Sequence, residues 1–376
     1  MFRLKKKLAF IGGGINSNVG KVHFSASQMD GLWSVDAGIF SRNINDSKKT
    51  AKLWNIDEKR VYSNFNQFIK VEKNLIDAVA ILTPTPDHYK IIIQCLTAGL
   101  NVICEKPICS SVEEVKKIIN LCNKKKLFLA VTFNYTAYPM VREIKALIKN
   151  NKIGNVQQIH CEYPMEGFIR SHASSGEVPS PQKWRLKDNI ISNLYLDLGT
   201  HIDSLLKYLI DSNPTYLNSL SFRKSSYKKI VDNIFVWLKY GKDIYANCWI
   251  SKTALGNRNG LKIRIFGSKG SLEWVQEKSE SIIYSSVDGF KTIIDRGSNL
   301  FVANSKKYNR FKAGHPDGFI EAYANLYYDL QKELIFFQKN NRYSKKFFYC
   351  IENSLDGLII GEMIKNDYNK KIRFFS

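Results

Sequence analysis

The first 135 residues alternate short apolar runs with segments of helical period. Leu8-Ala9-Phe10-Ile11 is continuously apolar and ends in Gly12-Gly13-Gly14, and helical character follows from about Val19 to Met29. Ser34 to Phe40 reads as a second strand, 47–54 as a helix, and Ile76 to Leu82 as a fully buried strand of the parallel type. That strand closes in Thr83-Pro84-Thr85-Pro86, and a helix from Asp87 to Ala98 carries His88 in its first turn. The run Leu100 to Ile103 leads into Cys104-Glu105-Lys106-Pro107. Ser111-x-x-Glu114 is a capping box for a helix through Lys124, and Leu127 to Val131 is one more strand. Strands alternating with helices predict a doubly wound parallel sheet, an α/β architecture whose ligand sits at the C-terminal ends of the strands.

After Tyr135 the pattern changes. A helix over Pro139 to Lys149 precedes the alternating run Val156 to Tyr163. Strand-like runs follow at about Thr215–Phe222, Lys229–Leu238, Asp243–Ser251, Leu261–Phe266 and Ser271–Val275. The series predicts an α+β unit, an open and largely antiparallel sheet with helices on one face. His315 is expected to begin a helix running to about Gln338. Lys346 to Lys365 is helical in period, with Phe347, Ile351, Leu355, Leu358, Ile359 and Met363 as its apolar stripe. Ile372 to Phe375 reads as a short strand or an interface segment. No repeat or low-complexity linker intervenes.

Size and composition narrow the class. A chain of 376 residues with 44% hydrophobic and 24% charged residues is ordinary globular material for two domains. Against 34 Asp and Glu stand 56 Lys and Arg, a net charge of +22, which admits a nucleic-acid partner, an anionic substrate or a basic surface. The lysines are scattered and form no stripe or tail, and no helix-turn-helix, zinc-finger or RNA-binding signature occurs, so a basic surface without nucleic acid is expected. Seven dispersed cysteines with no CxxC pair read as buried thiols in a reducing compartment. The basic start is followed by only four apolar residues before Gly12, too few for a signal peptide or a membrane span. The expectation is a soluble cytoplasmic protein with no membrane partner. No His, Cys and carboxylate cluster has ligand spacing, so no metal is expected.

Several residues could carry chemistry. In G-x-G-x-x-G the third glycine would fall at Ser17, and the next glycine is Gly20. The glycines alone are compatible with a tight turn or with a phosphate loop at a helix N-terminus. The second strand ends in Ser41-Arg42, where a hydroxyl and a guanidinium suit a 2′-phosphate and lean towards NADP over NAD; a solvated arginine is the alternative. Asp197 and His201 stand four apart, so on a helix they share a face with Cβ atoms about 5–6 Å apart, continued by Leu205 and Tyr208. Such a pair is a cap with a satisfied histidine or a catalytic pair. Arg185, after Trp184, is an anion contact or a surface ion pair. His160 and His172 read as structural.

Taken in order, these points resemble one family: Gly12-Gly13-Gly14 with Gly20 and His23, Thr83-Pro84 with His88, Glu105-Lys106-Pro107, Asn134-Tyr135, Trp184-Arg185, Asp197-x-Gly199-x-His201 and Gly267-x-x-Gly270-x-x-x-Trp274. The chain is similar over nearly its whole length to the Gfo/Idh/MocA oxidoreductases, and His315-Pro316-Asp317-Gly318-Phe319 looks like one branch of them. The resemblance implies a Rossmann domain over 1–135 and a substrate and oligomerisation domain over 136–344. It also implies a C-terminal helix, about 345–366, that packs back on the first domain, and a homodimer or homotetramer formed through the outer face of the second sheet.

By the same resemblance the cofactor, NAD or NADP, is held by Gly12, Gly14, Ile15, Asn16, Ser41, Arg42, Thr83, Pro84, His88, Glu105, Lys106 and Asn134. Lys106, Tyr135, Arg185, Asp197, His201 and His315 line the substrate, with Lys106, Asp197 and His201 catalytic. A neutral imidazole with a pKa near ~6.5 can take a carbinol proton, and an ammonium can stabilise the developing alkoxide. The implied reaction is hydride transfer between a ring carbinol of a sugar, sugar derivative or cyclitol and the nicotinamide. A cofactor-retaining glycoside hydrolase that works by transient oxidation is the alternative within the family, and a non-enzymatic nucleotide-binding or nucleic-acid-binding protein is the alternative outside it. Relatives carry glycines before the Asp-x-x-x-His motif where this chain has Ser192-Asn193-Leu194-Tyr195-Leu196, which is expected to reshape the pocket floor.

Overall fold

A computed structural model describes residues 5–171 and 174–364. The chain divides into two compact units, residues 1–138 with 318–355 and residues 139–317 with 356–376.

The first unit opens with β1 (Lys6–Gly12), α1 (Asn18–Met29), β2 (Trp33–Ile39), α2 (Ile44–Leu53), α3 (Phe65–Glu72), β3 (Ala78–Leu82), α4 (Thr85–Thr97), β4 (Val102–Cys104), α5 (Val112–Lys125) and β5 (Leu129–Val131). The strands form one parallel sheet in the order β2-β1-β3-β4-β5. Every residue of β3, β4 and β5 is buried, which is why these segments read as unbroken apolar runs. The chain order reverses direction between β1 and β3, the switch point where such sheets bind ligands. Ser111 caps α5 as the spacing predicts, its Oγ accepting from the Glu114 N–H at 3.2 Å. The stretch before β3, expected as a connection, contains α3. Its Glu72 is fully buried and accepts from the Arg60 guanidinium at 2.6 Å and the Tyr62 hydroxyl at 2.8 Å.

The second unit contains α6 (Pro139–Lys149), β6 (Val156–Pro164), a π-helical turn at Tyr195–Gly199 leading into α7 (Thr200–Ile210), and then β7 (Pro214–Phe222), β8 (Asn233–Tyr240), β9 (Ile244–Ser251), β10 (Lys262–Gly267), β11 (Gly270–Val275), β12 (Ser281–Ser286) and β13 (Lys291–Asp295). Its eight strands run in the order β13-β12-β11-β10-β6-β9-β8-β7, and only β6 and β9 pair in parallel. Alternation is clear in β8, where Ile234, Val236, Leu238 and Tyr240 are buried while Trp237 is exposed. On the outer face, Phe235 stacks with Phe222, Trp237 and Trp249, centroids 6.1–6.5 Å apart. β12 and β13 were not expected. Their sequences are short and half polar, and the signal for them is the Asp288-Gly289 turn, with Gly289 at φ +86°.

Two helices close the chain, α8 (Phe319–Asn340) and α9 (Ile351–Met363). Their division departs from the expected domain boundaries. α8 lies wholly in the first unit, because it bonds there: the Gln331 side chain donates to Leu32 O, and the Tyr327 carbonyl accepts from Trp33 Nε1. The helix also starts later than His315, since Asp317 is drawn to Arg296 and Gly318 N–H is bonded by Glu321 of the first helical turn. Residues 343–350, expected partly as helix, lie along the edge of β5 instead. Val131 N–H donates to Tyr349 O at 2.9 Å and Ala130 bridges Cys350, so the segment covers an open sheet edge. From Asp356 onwards the chain belongs to the second unit. The expected terminal strand Ile372–Phe375 and His172 lie outside the described residues.

Candidate active site

At the C-terminal end of β1 the chain turns through Gly12 and Gly13, both at positive φ. A side chain on Gly12 would sit 2.8 Å from the Leu82 backbone. One on Gly20 would meet the Gly13 carbonyl oxygen at 1.8 Å. The close helix-to-turn approach therefore falls on Gly20, three residues later than the fingerprint places it. Ser17 takes a different part as the α1 N-cap, its Oγ accepting from Gly20 N–H. Ile15 N–H donates to Thr50 Oγ1 at 3.1 Å, which pins the loop to α2, and Asn16 lies 3.4 Å from Asp46. At the end of β2, Ser41 is held by Ser47 and Asn43, and the exposed Arg42 pairs with Asp87 at 2.8 Å.

At the ends of β3 and β4, His88 is enclosed, with Nε2 at 2.7 Å from Thr83 O and Nδ1 at 2.9 Å from Pro107 O. Burial holds its pKa below the ordinary value, against the two backbone carbonyls, which favour the protonated ring. Glu105 is likewise turned inward. Its Oε1 accepts from His23 Nε2 at 2.9 Å, from the Tyr323 hydroxyl at 3.1 Å and from the Thr132 hydroxyl, and its Oε2 from Lys106 N–H at 3.2 Å. Burial opposes ionisation most strongly. The hydrogen bond and charge of His23, the charge of Lys106 and the Thr132 bond outweigh it, and the carboxyl is held below the usual range. Glu105 and His88, expected to touch the cofactor, thus have their side chains engaged by protein groups. They shape the loops that carry Thr83, Pro84 and the half-buried Lys106.

The fit to a dinucleotide can be tested on atoms left over. Thr83 Oγ1 and Asn134 Nδ2 are buried polar atoms with no hydrogen-bond partner, and they stand at the C-terminal ends of β3 and β5. Together with the glycine turn at the N-terminus of α1, they suit a phosphate-linked ligand. Tyr135 is buried and stacks on Tyr138 at 6.0 Å.

In the second unit, Asp197 sits within the π-helical turn and His201 one turn on, near the start of α7. Such turns recur where a helix is widened at a functional position. Asp197 is no helix cap. Its Oδ2 accepts from Arg185 at 2.8 Å and from Lys252 Nζ at 2.5 Å. Arg185 lies over the Trp184 ring at 4.4 Å and Lys252 over the Phe168 ring at 5.0 Å. Lys252, at the end of β9, was not singled out in the sequence, because a lysine after a strand looks like any surface lysine. His201 is buried, its ring 6.0 Å from that of Tyr163. Among the residues before Asp197, the Tyr195 ring fills the space over Gly199 and Gly361, and its hydroxyl donates to Gly357 O at 2.8 Å. His315 lies before α8. Its ring is exposed, 3.3 Å from Lys312 O in its own turn. His160 packs edge-on against Phe266. Among the described residues no group of three or more His, Cys, Asp or Glu could hold a metal ion, and no helix is long and apolar enough to cross a membrane.

Residues 6–133 match the family described as oxidoreductase family, NAD-binding Rossmann fold, and residues 141–273 match the Gfo/Idh/MocA C-terminal domain. The chain belongs to the Gfo/Idh/MocA oxidoreductases. Among relatives in this family, the uncharacterized oxidoreductase YfiI of Bacillus subtilis (strain 168) is 29% identical over 328 residues, 85% of this chain and 83% of that protein. Levoglucosan dehydrogenase of Pseudarthrobacter phenanthrenivorans is 24% identical over 230 residues, 55% of this chain and 57% of its own. An inositol dehydrogenase homolog from Azotobacter vinelandii, solved with NADH and myo-inositol, superimposes with a TM-score of 0.85 at 25% identity, over 96% of this chain and 94% of that one. The protein is accordingly an oxidoreductase of the Gfo/Idh/MocA family whose first unit carries an NAD-binding Rossmann domain.

Proposed function

We propose that the protein is an NAD(P)-dependent dehydrogenase acting on a ring carbinol of a sugar, sugar derivative or cyclitol. The observation that carries this reading is the placement of Lys106: it leaves the end of β4 directly after a buried anionic Glu105, in the same sheet as the glycine turn of β1. The nicotinamide, when bound, supplies the hydride acceptor. Gly12, Gly14, Ile15 and Asn16 present the loop for its pyrophosphate, and Thr83, Pro84 and Asn134 the polar edge. Lys106 stabilises negative charge on the reacting oxygen, and His201 takes or returns the hydroxyl proton. Asp197, held by Arg185 and Lys252, orients that end of the substrate. The inositol and levoglucosan relatives act on, or are solved with, molecules of this polyhydroxylated class, which supports the reading.

Two refinements belong to it. One carboxylate shared by Arg185 and Lys252 leaves a positive charge unbalanced, which favours a substrate bearing an acid or phosphate. Arg42, with no carboxylate at the very end of β2, favours the 2′-phosphate of NADP, for which Asp87 is a competing partner. The aromatic cluster on the outer face of the second sheet is the surface proposed for a homodimer or homotetramer, and the seven free thiols fit a reducing cytoplasm.

The test is a reduced-cofactor screen of the purified protein with NAD and with NADP against sugars, cyclitols, sugar acids and sugar phosphates. Reduced cofactor should accumulate in proportion to oxidised product, faster with NADP. Glycoside cleavage without net reduction would indicate the transient-oxidation hydrolase instead, and silence with every polyol would count against both.

A further inference from the structure

His23 stands in α1, on the first unit's buried side, and no step proposed above uses it. It is fully buried, and both of its ring nitrogens are engaged: Nε2 at 2.9 Å from Glu105 Oε1, and Nδ1 at 2.8 Å from the Tyr327 hydroxyl. Burial, and next the charge of Glu105, push the Tyr327 hydroxyl well above its ordinary pKa, so it stays protonated and shares a hydrogen bond with Nδ1. The ionised Glu105 carboxylate can only accept, so Nε2 carries a proton and donates to it. Tyr323, one turn earlier on α8, donates to the same Glu105 oxygen and packs edge-on against the His23 ring at 4.8 Å. The Tyr327 carbonyl in turn accepts from Trp33 Nε1 at 2.9 Å, which anchors α8 to β2. Four segments thus converge on one carboxylate: α1, the end of β4, the residue after β5, and α8.

What this carboxylate does next is local. Its second oxygen accepts from the N–H of Lys106, the residue that follows it. That N–H lies in the peptide plane joining the two residues, so the orientation of the Glu105 side chain fixes the plane from which the Lys106 Cα–Cβ bond departs. The charge of Lys106 also acts on the Glu105 carboxylate and helps to hold it ionised. We propose that His23, backed by Tyr327 and Tyr323, is a positioning residue that acts through Glu105 to hold Lys106 in direction and in charge. The inference rests on the dehydrogenase reading only for its kinetic consequence; the linkage from His23 to Lys106 stands on the geometry of the first unit.

Without its His23 donor, a buried Glu105 keeps fewer groups that favour its ionised form, and it takes up a proton more readily. The anion beside Lys106 is then lost, and the ammonium of Lys106 gives up its proton at lower pH. The test uses the full-length protein with lysines reductively methylated with carbon-13, the Lys106 resonance being assigned by its loss in Lys106→Arg. In His23→Leu the Lys106 titration midpoint should fall by about 1 unit, with turnover down roughly 10–100-fold and cofactor affinity within about 3-fold. His23→Gln, whose amide reaches the Nε2 position and can donate to Glu105, should restore the midpoint and most of the turnover. Tyr327→Phe, which removes only the hydroxyl behind His23, should move the midpoint in the same direction by less, and it serves where His23→Leu does not fold.

An unchanged midpoint in a folded His23→Leu or Tyr327→Phe protein would overturn the proposal, as would a folded His23→Gln protein that fails to restore it. A shifted midpoint in a protein that oxidises no polyol would uphold the positioning role and count against the dehydrogenase reading alone.

Discussion

Glu105 and Asp203 are both carboxylates sealed from solvent, and they are held in opposite states. Glu105, in the first unit, receives four donors, and its pKa is lowered. Asp203, on α7 of the second unit, has an Oδ2 with no hydrogen-bond partner, and burial pushes its pKa well above the ordinary value. It is walled by Cys161 of β6, Cys248 of β9 and Tyr240 of β8, which offer it no cation. Burial alone therefore does not decide the charge of an acid. The number of donors brought to it does, and in this chain donors converge on the acid that adjoins Lys106. Asp197 is an intermediate case, its carboxylate partly exposed beside two cations.

The largest effect expected from breaking this contrast is at Glu105. Glu105→Gln keeps the shape but removes the anion, and turnover should fall by roughly 10²–10³-fold. Stability should drop by about 2–3 kcal/mol, read from urea melts at pH 7. Because the folded-state pKa of Glu105 is lowered, its contribution is present above the unfolded value and is lost as pH falls through the folded one. The gap between wild type and variant should therefore narrow on acidification.

At Asp197 the expected change is smaller and selective. Lys252→Met removes one of the two cations while Arg185 remains, so KM for an acid-bearing substrate should rise about 10-fold, with KM for a neutral polyol nearly unchanged. Equal effects on both substrates would mean that Lys252 only supports the turn around Asp197. The smallest effect is expected at Asp203. Its raised pKa means that its favourable contribution is present below the unfolded value and is lost as pH rises towards the folded one. Asp203→Asn, neutral at every pH, should raise Tm by about 2–4 °C at pH 8, and the gain should vanish near pH 4. A destabilised variant at pH 8 would place a charge on Asp203 after all.

Much of the first unit was legible because its signals are local. A buried parallel strand has to be apolar along its whole length, a tight turn needs Gly12, and a helix start needs Ser111, so periodicity and turn chemistry lead to the sheet without tertiary information. The second unit was legible strand by strand as far as β11. β12 and β13 carry mixed polar residues near a sheet edge, and only their Asp-Gly turn announces them. What the sequence could not reveal depends on partners far apart in the chain. His23 and Tyr327, 304 residues apart, share a hydrogen bond that no spacing encodes. Lys252 meets Asp197 across 55 residues. α8 reads as an amphipathic helix in either unit, and long-range bonds such as those of Tyr323, Asn325, Tyr327 and Gln331 assign it to the first. The surface position of His315 has a related origin: Asp317 is drawn to the buried Arg296, and the turn before α8 leaves the imidazole exposed.

The most direct measurement follows one hydrogen. A polyol that proves reactive in the screen, deuterated at its carbinol carbon, is mixed with the protein and oxidised cofactor, and the reduced cofactor is weighed by mass spectrometry. The account predicts a reduced cofactor heavier by one deuterium, formed in step with the ketone, and a rate lower by about 10³-fold or more in Lys106→Met, which still binds the dinucleotide. Reduced cofactor without deuterium, or a Lys106→Met protein that turns over like wild type, would contradict it.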